Sequence, residues 1–184
     1  MKSKQELRHY FLKLRADISA ELRYEQSIGL QKKLLQFLPA EGLIATYFPI
    51  KSELDIMPIN LILAEGARLV LPFTHKDFTL SFYQVKDMEK DIEPDDRQIP
   101  APIPGRCLQV DPEALPLILV PGVAFDRGKY RLGYGKGCYD RLLKMVKSPM
   151  TIGVTFDQFL VSALPHDSND IPVKKVLTPG SEIA

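Results

Sequence analysis

The stretch Arg131-Leu132-Gly133-Tyr134-Gly135-Lys136-Gly137-Cys138-Tyr139-Asp140-Arg141 decides how the rest of the chain is read. Three glycines alternate at positions 133, 135 and 137, surrounded by Arg131, Lys136 and Arg141. Upstream, residues 115–124 are apolar enough for a buried strand, interrupted by Pro116 and by Pro121-Gly122. Downstream, Leu142, Leu143 and Val146 fall on one side of a helix expected over residues 139–147. A glycine-rich turn from strand to helix exposes backbone N–H groups, and the helix start adds a partial positive charge. Glycine permits the positive φ values and close backbone approach that an anion nest requires. The basic side chains add charge-assisted hydrogen bonds to phosphate oxygens. The segment therefore predicts a polyphosphate cradle, and on pattern alone its alternative is a surface turn with solvated charges. Neither standard nucleotide signature fits. A Walker loop places Ser or Thr after its Gly-Lys, where Gly137 stands here, and a dinucleotide fingerprint spaces its last two glycines more widely than Gly135 and Gly137.

With 184 residues, the chain is long enough for one well-buried domain and too short for two ordinary ones, so a single domain over residues 1–184 is expected. Lys and Arg number 24 against 23 Asp and Glu, a net charge of +1 that argues against a broad footprint on nucleic acid or an anionic membrane. Any anion site must then be local, and residues 126–141 carry five cations against two carboxylates. Two cysteines, Cys107 and Cys138, make neither a disulfide framework nor a zinc signature. The charged N-terminus is unlike a signal peptide, and no apolar run is long enough to span a bilayer. A cytoplasmic protein is the expectation.

Leu7, Tyr10, Phe11, Leu14 and Ile18 recur at helical spacing, predicting a first helix over residues 3–17. Ser19 caps a second helix, running to about residue 38 before Pro39. Residues 43–48 read as a strand, followed by a turn at 51–55 and a helix over 58–65 that Asp55 is placed to cap. Short strands follow at 68–72 and 79–85. Residues 86–114 have the weakest pattern and, with Pro100-Ala-Pro-Ile-Pro104, are expected to form a long covering loop without regular structure. Further strands are expected at 151–155 and near Val176. Strands alternating with helices predict a three-layer α/β domain with a mainly parallel sheet.

Three other sites carry candidate chemistry. Glu53 lies beyond the first expected strand, at the edge where α/β proteins bind ligands, although most such residues are solvated carboxylates. Lys4 and Arg8 project from the same helix face, which on pattern alone reads as a wet face. Asp140 and Asp170 are candidate magnesium carboxylates, since such a site takes one or two carboxylates plus phosphate oxygens. His9, His75 and His166 lie in unrelated settings, so structural or surface roles are expected, and nothing resembles a nucleophilic triad.

Val120-Pro-Gly-Val-Ala-Phe-Asp126 followed by Arg131-Leu-Gly-Tyr-Gly-Lys-Gly-Cys-Tyr-Asp140 resembles the signature of the 5-formyltetrahydrofolate cyclo-ligase family. Lys4-Gln-Glu-Leu-Arg8, Tyr47-Phe-Pro-Ile-Lys-Ser-Glu-Leu-Asp55 and Asn169-Asp-Ile-Pro-Val173 match further family segments in order. The resemblance implies a fold of the sugar-isomerase/CoA-transferase type. It also implies conversion of 5-formyltetrahydrofolate to 5,10-methenyltetrahydrofolate with ATP and Mg2+, releasing ADP and phosphate, so the partners are small molecules; a monomer is the expectation. By the same resemblance, Lys4, Arg8 and residues Arg131, Leu132, Gly133, Tyr134, Gly135, Lys136, Gly137, Cys138 and Tyr139 would contact ATP. Arg131 and Lys136 would assist catalysis, Phe48 and Glu53 would contact the folate, and Asp140 and Asp170 would hold magnesium. Two positions depart from the family pattern: Cys138 stands where tyrosine is usual, and Lys174 where an acidic residue is frequent.

Overall fold

The residues of Leu117-Ile-Leu-Val-Pro121 are apolar at every position because the strand they form is covered on both faces. Leu117 and Leu119 join a core with Phe11, Leu30, Leu34, Ile59 and Leu63, while Ile118 and Val120 join Leu142, Leu143 and Val146 on the other side. The strand is thus the middle layer of three. In the computed structural model, which describes residues 2–184, the chain runs through α1 (Lys4–Ala16), α2 (Ala20–Leu34), β1 (Ile44–Ala45), α3 (Met57–Glu65), β2 (Leu69–Thr74) and β3 (Leu80–Val85). It continues through β4 (Ile92–Pro94), β5 (Pro100–Pro102), β6 (Leu108–Val110), β7 (Leu117–Pro121), β8 (Ala124–Asp126), β9 (Arg131–Leu132) and α4 (Cys138–Met145). The last strands are β10 (Met150–Val154), β11 (Leu160–Val161), β12 (Lys175–Leu177) and β13 (Glu182–Ile183).

Eight strands form the main sheet in the order β13-β12-β10-β7-β1-β2-β3-β6. The central run from β12 to β2 is parallel, and antiparallel strands close both edges. Helices α1, α2 and α3 pack on one face and α4 on the other, the expected α/β arrangement.

Helix starts follow their caps. Ser3 and Glu6 form a reciprocal capping box on α1, and the Ser19 hydroxyl accepts from the N–H of Leu22 on α2. Helix α2 stops at Leu34, short of the expected end near 38, because Phe37 and Leu38 donate back to the Leu34 carbonyl in a turn. Asp55 is not the cap of α3: the N-cap is Ile56, without a side-chain cap bond, and Asp55 stands one residue before it with its carboxylate accepting from the N–H of Met57 at 2.8 Å.

Three expectations are corrected. The strand expected at 115–124 divides at Gly122-Val123 into β7 and β8, and β8 pairs with β9 and β11 in a separate sheet. The segment 86–114 is not structureless: β4 and β5 pair, with Pro94 opposite Pro100 and Glu93 opposite Ala101, and β6 joins the main sheet. The prolines stand at the ends of the β4–β5 ladder, where a missing N–H costs least. On α1, Tyr10 and Leu14 remain 46% and 40% exposed, whereas Phe11 and Arg15 are buried. The inward face is therefore Lys4, Arg8, Phe11 and Arg15, a largely cationic stripe at helical spacing.

Candidate active site

A cleft of about 1060 Å³ opens where β1, β2 and β7 end, at the carboxyl edge of the parallel strands. Pockets for one small ligand run from roughly 300 to 1,000 Å³, so this cleft stands at the large end of that range. Its lining joins residues far apart in sequence: Lys4 and Arg8, Phe48 and Glu53, residues 131–141, and Asp170.

Strand β9 delivers Arg131 to the cleft, and the chain then turns through the glycines into α4. Gly135 at φ +94° and Gly137 at φ +67° occupy the left-handed region, which a side chain would strain, and Gly137 caps α4. Arg8 donates from Nε to the Gly133 carbonyl at 2.7 Å, tying α1 to the loop. Lys136 lies exposed with Nζ 4.8 Å above the Phe78 ring. Arg141 is engaged otherwise: it donates to the carbonyls of Phe78 (2.7 Å) and Lys136 (2.9 Å) and so braces the loop.

Arg131 pairs with Asp140 at 2.7 Å, and its side chain is only 6% exposed. Arg131 Nε and Asp140 Oδ1 are both buried without a partner. Such orphaned donors and acceptors are rare in folded proteins and fit a site completed by a ligand. Asp170 accepts from Lys4 Nζ and from the backbone N–H of Asp167 at 2.6 Å. Lys4 also bonds Asp167 at 2.8 Å. Partial burial opposes the Lys4 charge, but the two carboxylates outweigh it and hold the ammonium above its ordinary pKa. Among the described residues no three His, Cys, Asp or Glu side chains gather to hold a metal ion. A divalent ion beside Asp140 would therefore draw most of its shell from phosphate and water, as magnesium commonly does. The free Oδ1 of Asp140 fits that role.

The wall following β1 is buried and aromatic. Asn60 fixes it, accepting from the Thr46 hydroxyl at 2.7 Å and donating to the Tyr47 carbonyl at 3.0 Å. Phe48 is half-buried and Tyr47 is 4% exposed. Glu53 is not a solvated carboxylate: it is 8% exposed, accepting from the N–H of Ile50 at 3.0 Å and from the hydroxyl of Tyr134 at 2.9 Å. Burial pushes its pKa up, partly offset by the Ile50 N–H, by Arg15 and by Tyr134. Burial likewise pushes Tyr134 up to about 12, and Tyr47 and Tyr139 are raised for the same reason.

Sequence reasoning missed Tyr47 and residues 95–101 in the cleft lining, and Arg15 behind it, which bonds Tyr134. The spacing of Lys4, Arg8 and Arg15 carried a signal, since three cations on one helix face are a stripe rather than scattered solvation. The departures read from the sequence differ in position. Cys138 opens α4 on the cleft, half-buried and free. Lys174 instead donates to the carbonyls of Lys147 (2.6 Å) and Ser148 (3.2 Å) and lies outside the cleft lining. His75 bonds Ser81 at 2.7 Å and His166 stacks on Tyr130 at 3.7 Å, structural settings as expected.

A sequence model described as the 5-formyltetrahydrofolate cyclo-ligase family matches residues 1–179. A 5-formyltetrahydrofolate cyclo-ligase of Mycolicibacterium smegmatis is 28% identical over 97% of this chain and 94% of its own length. The solved structure of the 5,10-methenyltetrahydrofolate synthetase of Aquifex aeolicus superposes with a TM-score of 0.85 at 36% identity, covering 97% of this chain and 91% of that one. The synthetase of Mycoplasma pneumoniae superposes with a TM-score of 0.76, covering 97% and 99% of the two chains, and at 24% identity bears on the fold alone. With a match along nearly its whole length, the chain belongs to the 5-formyltetrahydrofolate cyclo-ligase family.

Proposed function

We propose that this protein converts 5-formyltetrahydrofolate to 5,10-methenyltetrahydrofolate with consumption of ATP in the presence of Mg2+, releasing ADP and phosphate. The observation that carries this reading is the single cleft in which the cationic glycine loop and the buried Glu53–Phe48 wall meet. Lys4, Arg8 and residues 131–139 bind the nucleotide, and Phe48 and Glu53 bind the folate. The whole chain, residues 1–184, acts as one domain. Action as a monomer is part of the same proposal. Among the described residues no helix is long and apolar enough to cross a membrane. A cytoplasmic location is part of the proposal.

A formyl amide oxygen is a poor leaving group as hydroxide and a good one as phosphate. Attack of that oxygen on the γ-phosphorus forms a C–O–P linkage and breaks the bond to ADP. The lone pair of the neighbouring arylamine nitrogen then adds to the activated carbon. That nitrogen loses its proton, and the C–O bond breaks with phosphate carrying away the electron pair, leaving the five-membered ring. Phosphoryl transfer depends mainly on positioning and charge neutralisation. Arg131 and Lys136 neutralise the phosphate oxygens while the loop N–H groups orient them. Asp140 and Asp170 would hold Mg2+, whose contribution is to neutralise charge on the phosphates. Ionised Glu53 can only accept hydrogen bonds, so it orients an N–H of the folate rather than acting as a nucleophile.

The test is to mix protein, ATP, Mg2+ and 5-formyltetrahydrofolate and follow the methenyl chromophore by absorbance. Product at an undiminished rate without ATP, or in excess chelator, would overturn the proposal. ATP binding with no product at all would favour a binding protein that has lost turnover.

A further inference from the structure

Arg15 is 2% exposed, which for a guanidinium demands partners. It has three: the Ser52 hydroxyl at 3.1 Å from Nε, the Gly122 carbonyl at 3.5 Å, and the Tyr134 hydroxyl. None is a carboxylate. Arginine has donors and no acceptor, so the Tyr134 oxygen must accept from Arg15. Its one proton is then available only for Glu53, which it meets at 2.9 Å. The order Arg15, Tyr134, Glu53 therefore has a fixed direction, with every proton pointing toward the carboxylate. Tyr134 as a whole is 37% exposed on the glycine loop, and the Arg15 guanidinium lies 5.7 Å from its ring centroid. A small void of about 10 Å³ borders Arg15, Glu53 and Tyr47, and Glu53 is the one carboxylate around it.

We propose that Arg15 is a positioning residue for this reaction: through the Tyr134 hydroxyl it locks the glycine loop to Glu53, so that the nucleotide and folate sides of the cleft are set together. This rests on the proposed function for its meaning in turnover, but the lock itself is a property of the free protein. Packing alone does not account for it, since a buried charge separated from its counter-charge by a hydroxyl is costly beside an apolar side chain of the same size. The groups facing Glu53 are Arg15 from α1, Lys51 and Tyr47 from the wall, Tyr134 from the loop, and Tyr139 from α4. Arg15, Lys51 and Tyr134 favour its ionised form, and the ionised phenols of Tyr47 and Tyr139 would oppose it.

The experiment compares Tyr134→Phe, Arg15→Met and Arg15→Lys with the parent protein, each first checked by thermal melting. Carbon-13 NMR of labelled glutamate carboxyls follows the titration of Glu53 without any substrate, with Glu53→Gln assigning the signal. The expected result is a titration moved to higher pH in Tyr134→Phe and Arg15→Met, and largely restored in Arg15→Lys. The acid limb of kcat/KM for methenyl formation moves the same way, and kcat/KM falls roughly tenfold or more as a hydrogen bond to a charged group is lost. ATP and folate affinities fall together. A Tyr134→Phe protein with the parent melting temperature and an unmoved Glu53 titration overturns the lock. A loss of activity equal at every pH also overturns it, as the mark of a merely structural residue. Should Arg15→Met fail to fold, Tyr134→Phe decides alone. A parent protein that makes no methenyl product overturns the proposed function, while the substrate-free titration still decides the lock.

Discussion

The glycine loop and the wall that follows β1 bound the same cleft with different materials. Tyr134, Gly135 and Lys136 are exposed, and the loop offers its glycine backbone and the Lys136 ammonium to solvent. The wall offers Tyr47 and Glu53 at 4% and 8% exposure, with a single carboxylate among aromatic rings. Phosphates need cations that exchange water for anionic oxygens, so that side stays wet until ligand arrives. A flat heteroaromatic ring needs desolvated surface and a few directional hydrogen bonds, so that side is dry beforehand. The loop's exposed charge, Lys136, therefore responds mainly through ligand binding, whereas the buried charges of Arg131 and of the wall respond through the stability of the fold as well.

Breaking the loop at its buried end gives the largest effect. Arg131→Ala leaves Asp140 unpaired, costing about 3 kcal/mol of stability by urea unfolding, and removes a phosphate contact, costing about 1.5–3 kcal/mol in ATP-dependent steps. An Arg131→Ala protein with parental stability and parental ATP affinity would remove Arg131 from the site. Glu53→Gln comes next. It should weaken folate binding by about 1.5–3 kcal/mol in calorimetric titration, and ATP affinity by less, since Tyr134 links the two sides. Equal losses for both ligands would place Glu53 in the nucleotide half. Lys136→Ala, being exposed, should cost about 1 kcal/mol in ATP affinity and leave unfolding and folate affinity unchanged.

The pH dependence of stability sharpens the contrast further. The raised pKa of Glu53 means that the folded protein holds its proton more tightly than the unfolded chain. Its contribution favours the fold below the ordinary carboxylate pKa and is lost as pH rises through the raised value. Urea unfolding across that window should show the parent losing ground to Glu53→Gln, and parallel curves would contradict the burial argument. The smallest effect is expected at Lys174→Glu. Its ammonium faces carbonyls after α4 rather than the cleft, so the Mg2+ dependence should match the parent and stability should change by about 0.5 kcal/mol or less.

The glycine loop was legible because local chemistry defines it: glycine at positive φ, cations around it, a helix start behind it. The parallel sheet was legible from apolar runs such as 117–121, though the break at Gly122-Val123 was not, because both sides of the break are equally apolar. Arg15 was hidden by its type. An arginine between Leu14 and Ala16 reads as surface unless the partner hydroxyls of Ser52 and Tyr134 are known, and these lie 37 and 119 residues away. The β4–β5 pair was hidden by its prolines, which read as breakers although they stand at the ladder ends. Long-range contact decided the outcome for Arg15, and pairing across a short turn decided it for β4 and β5.

The central claim is that phosphoryl transfer to the formyl oxygen unites the two halves of the cleft. Its most direct test uses 5-formyltetrahydrofolate carrying a heavy-isotope oxygen in the formyl group, with mass analysis of the phosphate released during turnover. The account predicts one labelled oxygen in each phosphate, formed in step with one ADP and one methenyl product. Methenyl product accompanied by unlabelled phosphate would contradict it.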